Sequence, residues 1–249
     1  MGSISVVILT ANEEDNIKRS LRSVLWSDDI ILIDNSSDRS VEIAQRLIPS
    51  KNLRVLHESN ESNFANLRNI GLHLARHEWV LYLDADEVIS PQLLQEINRK
   101  LYSTIARGFY MRRRDYFLGT WLRHGEVADL KLLKLAKKDG GKWRRAVHEV
   151  WDVSGFVDTL TNPLLHYPHP IVSEFVNRID RWTTLDAETF KGQGQSSSWL
   201  KIIGYPSAKF IQNYILKAGF LDGMPGLIFA ILMSFHSFLT RAKLFLLVR

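Results

Sequence analysis

Two aspartates one residue apart, Asp84 and Asp86, are the residues of this 249-residue chain best suited to metal-assisted chemistry. They directly follow the apolar run Trp79-Val-Leu-Tyr-Leu, which predicts a buried strand. Two carboxylates this close repel each other unless a cation lies nearby. Hard divalent ions such as Mg²⁺ and Mn²⁺ prefer oxygen ligands and commonly bridge to phosphate groups. The pair therefore predicts a divalent metal, with Mg²⁺ and Mn²⁺ both open, and a phosphate-bearing substrate.

Polar clusters also follow two earlier apolar runs. Thr10-Ala-Asn12-Glu13-Glu14 follows Ser5-Val-Val-Ile-Leu, and Asp34-Asn35-Ser36-Ser37-Asp38 follows Ile30-Ile-Leu-Ile. In an open parallel sheet, ligands bind outside the carboxyl ends of the strands. We therefore expect all three clusters to face one cleft.

Short apolar runs alternate with helical patterns through the first hundred residues, which predicts a parallel sheet with crossover helices. Strands are expected at residues 5–10, 30–34, 53–57 and 79–83, and helices at 16–25, 41–47, 64–75 and about 91–101. Strand patterns at 108–118 and 130–135 come next, then an amphipathic helix at 171–190. We predict an α/β catalytic domain over residues 1–190, with halves at about 1–103 and 104–190, and a helical appendage over residues 191–249.

The chain contains no cysteine, so any metal must be held by oxygen or imidazole ligands. Its net charge of +5 lies in the tail, where seven basic residues and one acid follow from Lys191 onward. Basic residues interleaved with aromatic ones are typical of an anionic membrane surface or of nucleic acid. We favour the membrane and expect no nucleic acid, because the tail continues into the apolar run at 226–235.

The longest apolar stretch of the tail, roughly residues 227–239, is shorter than the roughly 20 residues of a spanning helix. It is therefore expected to lie in the membrane interface, although residues 244–248 could extend it. The opening residues lack the basic flank of a secretory signal. Together these features predict a cytoplasmic protein that is peripheral on the inner face of the cytoplasmic membrane.

Four motifs occur in order over residues 4–87: Val-Val-Ile-Leu-Thr-Ala-Asn-Glu-Glu, Ile-Leu-Ile-Asp34-Asn-Ser-Ser-Asp38, Asn66-Leu-Arg68-Asn69-Ile-Gly71 and Leu-Asp84-Ala-Asp86-Glu87. As a set they resemble the motifs of family 2 glycosyltransferases, which implies the GT-A fold with a mixed, Rossmann-like sheet. Two further motifs, Arg145-Ala-Val-His148-Glu149 and Phe220-Leu-Asp222-Gly223-Met-Pro-Gly226, resemble the lipopolysaccharide-core glucosyltransferases of the WaaE/KdtX type.

The resemblance implies roles for the residues of these motifs. The nucleotide pocket would be lined by Thr10, Asn12 and Glu14. Asp34 would contact the base or ribose, and Arg68 would face the donor diphosphate. Asp84 would also bind the donor, and Asp84 and Asp86 would hold the metal.

Inverting transfer also needs a base that takes the proton of the acceptor hydroxyl. The adjacent pair His148 and Glu149 is the candidate, with Glu149 as the base and His148 as a metal ligand or diphosphate contact. Other carboxylates could take the role of base, and a further histidine could reach the cleft or be structural. These alternatives are Asp115, Asp129, Asp152 and His166.

The predicted function is transfer of a sugar, with glucose from a UDP-sugar favoured, to a membrane-associated glycan such as a lipopolysaccharide core. A polyprenyl-phosphate or exopolysaccharide glycosyltransferase is the alternative within the family. A non-catalytic, membrane-attached module that binds sugar nucleotides is an alternative of another class. A phosphatase of the haloacid-dehalogenase type is disfavoured, because its aspartates would follow the first strand, whereas here they follow the fourth.

Overall fold

The computed structural model describes residues 3–58, 63–145, 149–168 and 172–248. It divides into two compact units. The first contains residues 1–113 and 130–167, and the second contains residues 114–129 and 168–249. The domain boundary predicted near residue 191 stays a prediction.

The elements of regular structure follow one another in α/β order along the amino-terminal half. The strands are β1 (Ile4–Thr10), β2 (Ile30–Asp34), β3 (Leu53–His57), β4 (Trp79–Asp84), β5 (Glu87–Val88), β6 (Gly108–Phe117), β7 (Thr120–Trp121), β8 (Lys131–Lys137), β9 (Gly141–Arg144), β10 (Val150–Val153), β11 (Val157–Thr159) and β12 (Leu164–His166). The α-helices are α1 (Ile17–Arg22), α2 (Ser40–Leu47), α3 (Phe64–Leu74), α4 (Pro91–Tyr102), α5 (Val172–Gly192), α6 (Trp199–Phe210) and α7 (Gly223–Val248).

Four parallel strands form one side of the main sheet, in the order β3, β2, β1, β4. The β2 strand is buried at every position and β1 at all but one, because helices cover both faces of a parallel sheet. This arrangement confirms the predicted α/β class with a mostly parallel amino-terminal half. The alternating pattern of short apolar runs was sufficient to predict it.

The rest of the sheet is mixed. Next to β4 lies β8, which is antiparallel to it, and then β6, which is antiparallel to β8; β12 and β5 follow. The short strand β11 pairs with β6 in parallel. A separate hairpin of β9 and β10 brings Trp143 opposite Trp151, and these indoles stack on each other with ring centroids 5.3 Å apart. Both also contact Tyr82 of β4 edge to face. The two tryptophans therefore pack in the core of this unit.

Glycine at position 71 allows α3 to approach the sheet closely. A Cβ atom at this position would overlap the Val7 side chain and lie 3.1 Å from Ile33 Cδ1. Since both neighbours are fully or almost fully buried, they have little room to move. The close approach positions Arg68, one turn earlier on the same helix.

A buried carboxylate ties α4 to the loop before β12. Glu96 accepts hydrogen bonds from the backbone N–H and side chain of both Thr161 and Asn162. Burial raises the pKa of Glu96, but these hydrogen bonds outweigh burial and lower it to about 2. The ionised carboxylate therefore stabilises this part of the first unit.

The second unit is mainly helical. Its core contains Phe117, Ile179, Phe229 and Leu232. The Lys243 ammonium of α7 donates to Asp180 Oδ1 at 2.7 Å and to two threonine hydroxyls of α5, so α7 is attached along one side. The helical segment Gly219–Val248, which includes α7 and the turn before it, is long and apolar enough to cross a membrane, judged by length and composition alone. It is longer than the stretch at 227–239 that the sequence predicted, because polar residues within it do not interrupt the helix.

Candidate active site

The carboxyl ends of β1, β2 and β3 bring Thr10, Asp34 and His57 side by side, since strand register pairs Thr10 with Asp34 and Asp34 with His57. Asp34 is only 2% exposed. Its Oδ2 lies 3.2 Å from His57 Nδ1, whereas Oδ1 has no hydrogen-bond partner among the described residues. The Thr10 hydroxyl is likewise buried and unpaired within that part of the chain. Buried polar atoms normally have partners, so this row is suited to a polar ligand.

Asn12 and Glu14 join the loops that follow β1 and β2. Asn12 has a left-handed backbone (φ +56°), and its side-chain oxygen accepts a hydrogen bond from the Ser37 N–H at 2.8 Å. The Glu14 carboxylate accepts one from Arg39 Nε at 3.1 Å. Both residues therefore lie on the rim of the same sheet edge as Asp34. Their predicted contacts with a nucleotide stay predictions.

Asp84, at the end of β4, is held by two cations. Its Oδ1 accepts from Arg68 Nη2 at 3.2 Å, and its Oδ2 accepts from Lys134 Nζ at 2.7 Å. Burial raises the pKa of Asp84, but the charges of Lys134 and Arg68 outweigh burial and hold that pKa well below its usual range. The carboxylate is therefore ionised, and each of its oxygens has a partner.

Lys134 of β8 also contacts Glu87, with 2.8 Å between its Nζ and Oε2 of the glutamate. That same Oε2 accepts a hydrogen bond from the Asp84 N–H at 2.9 Å. Burial raises the pKa of Glu87, which is fully buried, above its usual value. Lys134 and Glu87 thus close the turn from β4 to β5, which carries Asp86.

Arg68 connects Asp84 to the predicted base. Its Nε donates to Glu149 Oε1 at 3.2 Å, so one guanidinium bridges two carboxylates. The guanidinium is 4.8 Å from the centre of the Trp143 ring, and the Tyr82 hydroxyl donates to the backbone oxygen of Arg68 at 2.6 Å. Arg68 is 8% exposed, and its Nη1 has no partner within the described ranges. Arg68 is therefore a buried cation that links the Asp-x-Asp motif to Glu149.

Asp86 lies beside His166, which belongs to β12. Strand register pairs His166 with Glu87, and 3.2 Å separates His166 Nε2 from Asp86 Oδ2. The backbone oxygen of Asp86 accepts from the Tyr167 N–H at 2.8 Å. The sequence left open whether His166 reaches the cleft or is structural, and the structure puts it next to the Asp-x-Asp motif.

The donor atoms near Asp86 fit a divalent metal that shares its coordination with a phosphate. Mg²⁺ and Mn²⁺ sites of this kind use one or two protein ligands, with water and phosphate oxygens completing the shell. Asp86 and His166 offer one carboxylate and one imidazole nitrogen. No group of three or more His, Cys, Asp or Glu side chains suited to a metal occurs within residues 3–58, 63–145, 149–168 and 172–248. A site built from protein ligands alone is therefore not what the described residues form.

The predicted site residues that the structure connects by direct contact are Arg68, Asp84 and Glu149, and His148 lies outside the described residues. Asp152, an alternative base, instead pairs with Arg144 at 2.7 Å on the exposed face of the β9–β10 hairpin. Sequence reasoning missed Lys134 and the role of Glu87. The available signal was a single lysine inside the apolar run Leu132-Leu133-Lys134-Leu135-Ala136.

Comparison with known proteins shows the family and the fold of the chain. The model of the family described as Glycosyl transferase family 2 matches residues 5–150. A lipopolysaccharide core biosynthesis glycosyltransferase of Rhizobium meliloti, LpsC, is 24% identical over 249 residues, which cover 97% of this chain and 92% of LpsC. An uncharacterised glycosyltransferase of Rickettsia typhi is 25% identical over 261 residues, covering 98% of this chain and 87% of the relative.

Solved structures of S. aureus TarS have a similar backbone. TarS 1-349 superposes with a TM-score of 0.54 at 15% sequence identity, covering 98% of this chain and 88% of TarS 1-349. The same protein in complex with UDP gives a TM-score of 0.52 at 16% identity over the same shares of the two chains. At this level of identity the likeness shows a shared fold.

Proposed function

The chain belongs to glycosyl transferase family 2 and is a glycosyltransferase with the GT-A fold, and we propose that it transfers a sugar from a UDP-sugar to a lipopolysaccharide-core acceptor with inversion. The observation that carries the proposal is the Arg68 guanidinium, which joins Asp84 to Glu149 and retains an unpaired donor among the described residues. A cation in this position can bind a diphosphate beside a carboxylate that acts as a base.

The buried row at the ends of β1 and β2 supports a uracil nucleotide. The unpaired Asp34 Oδ1 is a hydrogen-bond acceptor, and uracil presents an N3–H donor. The Thr10 hydroxyl beside it can donate or accept. TarS, which shares the fold, has been crystallised with UDP.

The proposed reaction is a single displacement at the anomeric carbon. The acceptor hydroxyl oxygen forms a bond to C1 of the sugar while the bond from C1 to the diphosphate oxygen breaks. The electron pair of that bond leaves with UDP, and the hydroxyl proton passes to the Glu149 carboxylate. Arg68 stabilises the negative charge that grows on the diphosphate, and Glu149 lies within hydrogen-bond distance of that same guanidinium.

We propose Mg²⁺ or Mn²⁺ as the cofactor, with Asp86 and His166 as the protein ligands. When bound, the ion would neutralise charge on the diphosphate as a Lewis acid. Asp84 is not included among these ligands, because its two oxygens accept hydrogen bonds from Arg68 and Lys134. Its role as a ligand, expected from the sequence, stays a prediction.

The acceptor and the membrane are proposed from different observations. The R. meliloti relative is described as acting in lipopolysaccharide core biosynthesis, and such acceptors lie at a membrane. Helix α6 has no buried residue, although it contains Trp199, Leu200, Ile203 and Tyr205. An apolar helix that also carries Lys201 fits an anionic lipid surface. We therefore propose peripheral attachment on the cytoplasmic face, which a polyprenyl-phosphate acceptor would suit equally.

The donor assignment is tested by measuring nucleoside diphosphate release from UDP-, GDP- and dTDP-sugars with Mn²⁺, Mg²⁺ or EDTA, in the presence of bacterial membranes. We expect metal-dependent release from a UDP-sugar, with loss of at least about a hundredfold in Asp86→Asn. Asp139→Asn is the matched control, since Asp139 is exposed and pairs with Arg107. Folded protein that releases and binds none of these donors would contradict the proposal.

Membrane attachment is tested by flotation with vesicles of phosphatidylglycerol and phosphatidylethanolamine. Ile203→Glu in α6 is expected to reduce the bound fraction strongly, because it puts a charge on the apolar helix. Ile105→Glu is the control, since Ile105 is even more exposed but lies in the first unit. Equal binding of both variants and the wild type would refute attachment through α6.

A further inference from the structure

Lys134 is a cation placed inside the sheet. It is 4% exposed and lies on β8, which pairs with β4 and β6. A buried ammonium is strongly destabilising unless it is paired with anions. Lys134 Nζ is 2.7 Å from Asp84 Oδ2 and 2.8 Å from Glu87 Oε2, so it has two carboxylate partners. One of these is fully buried Glu87, and the other belongs to the Asp-x-Asp motif.

The contact with Asp84 has a consequence for Asp86. With Lys134 on Oδ2 and Arg68 on Oδ1, both Asp84 oxygens are occupied by cations. Glu87 Oε2 accepts from the Asp84 N–H as well as from Lys134, which fixes both ends of the turn around Asp86. Asp86 itself is directed toward His166 instead. The two aspartates of the motif therefore have different surroundings.

We propose that Lys134 is a positioning residue of the transfer reaction. By holding Asp84 and Glu87 it keeps Asp84 from ligating the metal, so that the ion binds at Asp86 where it can also contact the donor diphosphate. This inference rests on the proposed function for its donor and its metal. According to this proposal, Lys134 gives the two aspartates of the motif different roles: Asp86 holds the metal and Asp84 does not.

Removal of Lys134 should change Mn²⁺ binding and UDP binding in opposite directions. In Lys134→Met, Asp84 Oδ2 loses its cation and can join Asp86 as a second carboxylate ligand. The affinity for Mn²⁺ alone should then rise about tenfold, because a positive charge near the ion is gone and a negative one becomes available. The metal would no longer be placed for the diphosphate, so the enhancement of UDP binding by Mn²⁺ should fall about tenfold.

The experiment measures Mn²⁺ binding by electron paramagnetic resonance and UDP binding by calorimetry with and without Mn²⁺. Lys134→Arg should keep the wild-type enhancement of UDP binding by Mn²⁺, because the guanidinium of arginine can also contact two carboxylates. Lys137→Met on the same strand is the matched control, since Lys137 pairs with exposed Glu78 near the protein surface. It should behave as the wild type.

A second variant tests whether Lys134 positions Asp84 or only neutralises the charge of buried Glu87. Lys134→Met/Glu87→Gln removes both charges, so it should melt near the wild-type temperature and still show the tenfold changes. If this double variant has the wild-type affinity for Mn²⁺ and the wild-type enhancement of UDP binding by Mn²⁺, the proposal is overturned, and its failure to fold would overturn it too. If the same two quantities are unchanged in Lys134→Met, this proposal alone is refuted. Wild-type protein that binds neither Mn²⁺ nor UDP would refute the proposed function as well.

Discussion

Asp34 offers a direct test of how the protein recognises the donor base. Its Oδ1 is buried and unpaired within the described part of the chain, and Oδ2 is next to His57. Uracil presents an N3–H donor to such an acceptor, whereas N3 of cytosine is itself an acceptor. Hydrogen bonds that involve a charged group contribute roughly 1.5–3 kcal/mol, which corresponds to about 10- to 150-fold in Kd. Asp34→Ala should weaken UDP binding by this factor.

Asp34→Asn should change selectivity rather than abolish binding. The amide can turn its NH₂ toward N3 of cytosine, because the His57 ring can donate or accept according to its tautomer. We expect UDP to bind about tenfold more weakly and CDP to bind more tightly than to the wild type, so that the UDP preference falls by at least about 30-fold. The assay is calorimetric titration with UDP, CDP and GDP at saturating Mn²⁺.

The control is Asp28→Asn, a change at an exposed aspartate that pairs with His77 elsewhere in the first unit. This variant should bind all three nucleotides as the wild type does. If Asp34→Asn retains the wild-type ratio of UDP to CDP affinity, the base is not read by Asp34, and the nucleotide must be oriented differently on the sheet edge.

Three further predictions concern stability and the second unit. The pKa of Glu96 is about 2 in the folded protein and 4.5 in the unfolded chain, so its stabilisation is present above pH 4.5 and is lost as the pH falls toward 2. In urea melts, Glu96→Gln should therefore lower the free energy of unfolding by roughly 3 kcal/mol at pH 7 and by little at pH 2. Gly71→Ala should lower the free energy of unfolding by about 1–3 kcal/mol through overlap with Val7, and an unchanged urea midpoint would contradict the packing. Asp222→Ala should make the segment around His124 exchange amide hydrogens at least about tenfold faster, because Asp222 accepts from two backbone N–H groups there; unchanged exchange would show that the segment is held by other contacts.

Much of the first unit could be predicted from local pattern. The four strands of the parallel half, their helices and the Pro91 start of α4 agree with the structure within a few residues. Buried parallel strands consist almost entirely of apolar residues, so they are conspicuous against the amphipathic helices between them. Polar residues directly after such strands must lie at the carboxyl edge of the sheet, which is why Asp34 and Asp84 could be selected in advance.

The mixed part of the sheet was harder to predict. Short strands such as β5 and β12 have two or three residues, too few for a period of two to be recognised. Their pairing brings His166 next to Asp86, a contact between residues 80 positions apart in the chain. The sequence left His166 open as structural or as part of the cleft, and only strand pairing could decide between them.

The sequence by itself determined the parallel half of the sheet, the edge at which the chemistry lies and the family to which the motifs point. Tertiary structure decided which charges meet. Lys134 lies 50 residues from Asp84, and Glu149 lies 81 residues from Arg68. Apolar periodicity reports whether a side chain is buried, because burial depends on one face of one element. Which oxygen faces which cation depends on the packing of several elements at once, and no local pattern records that.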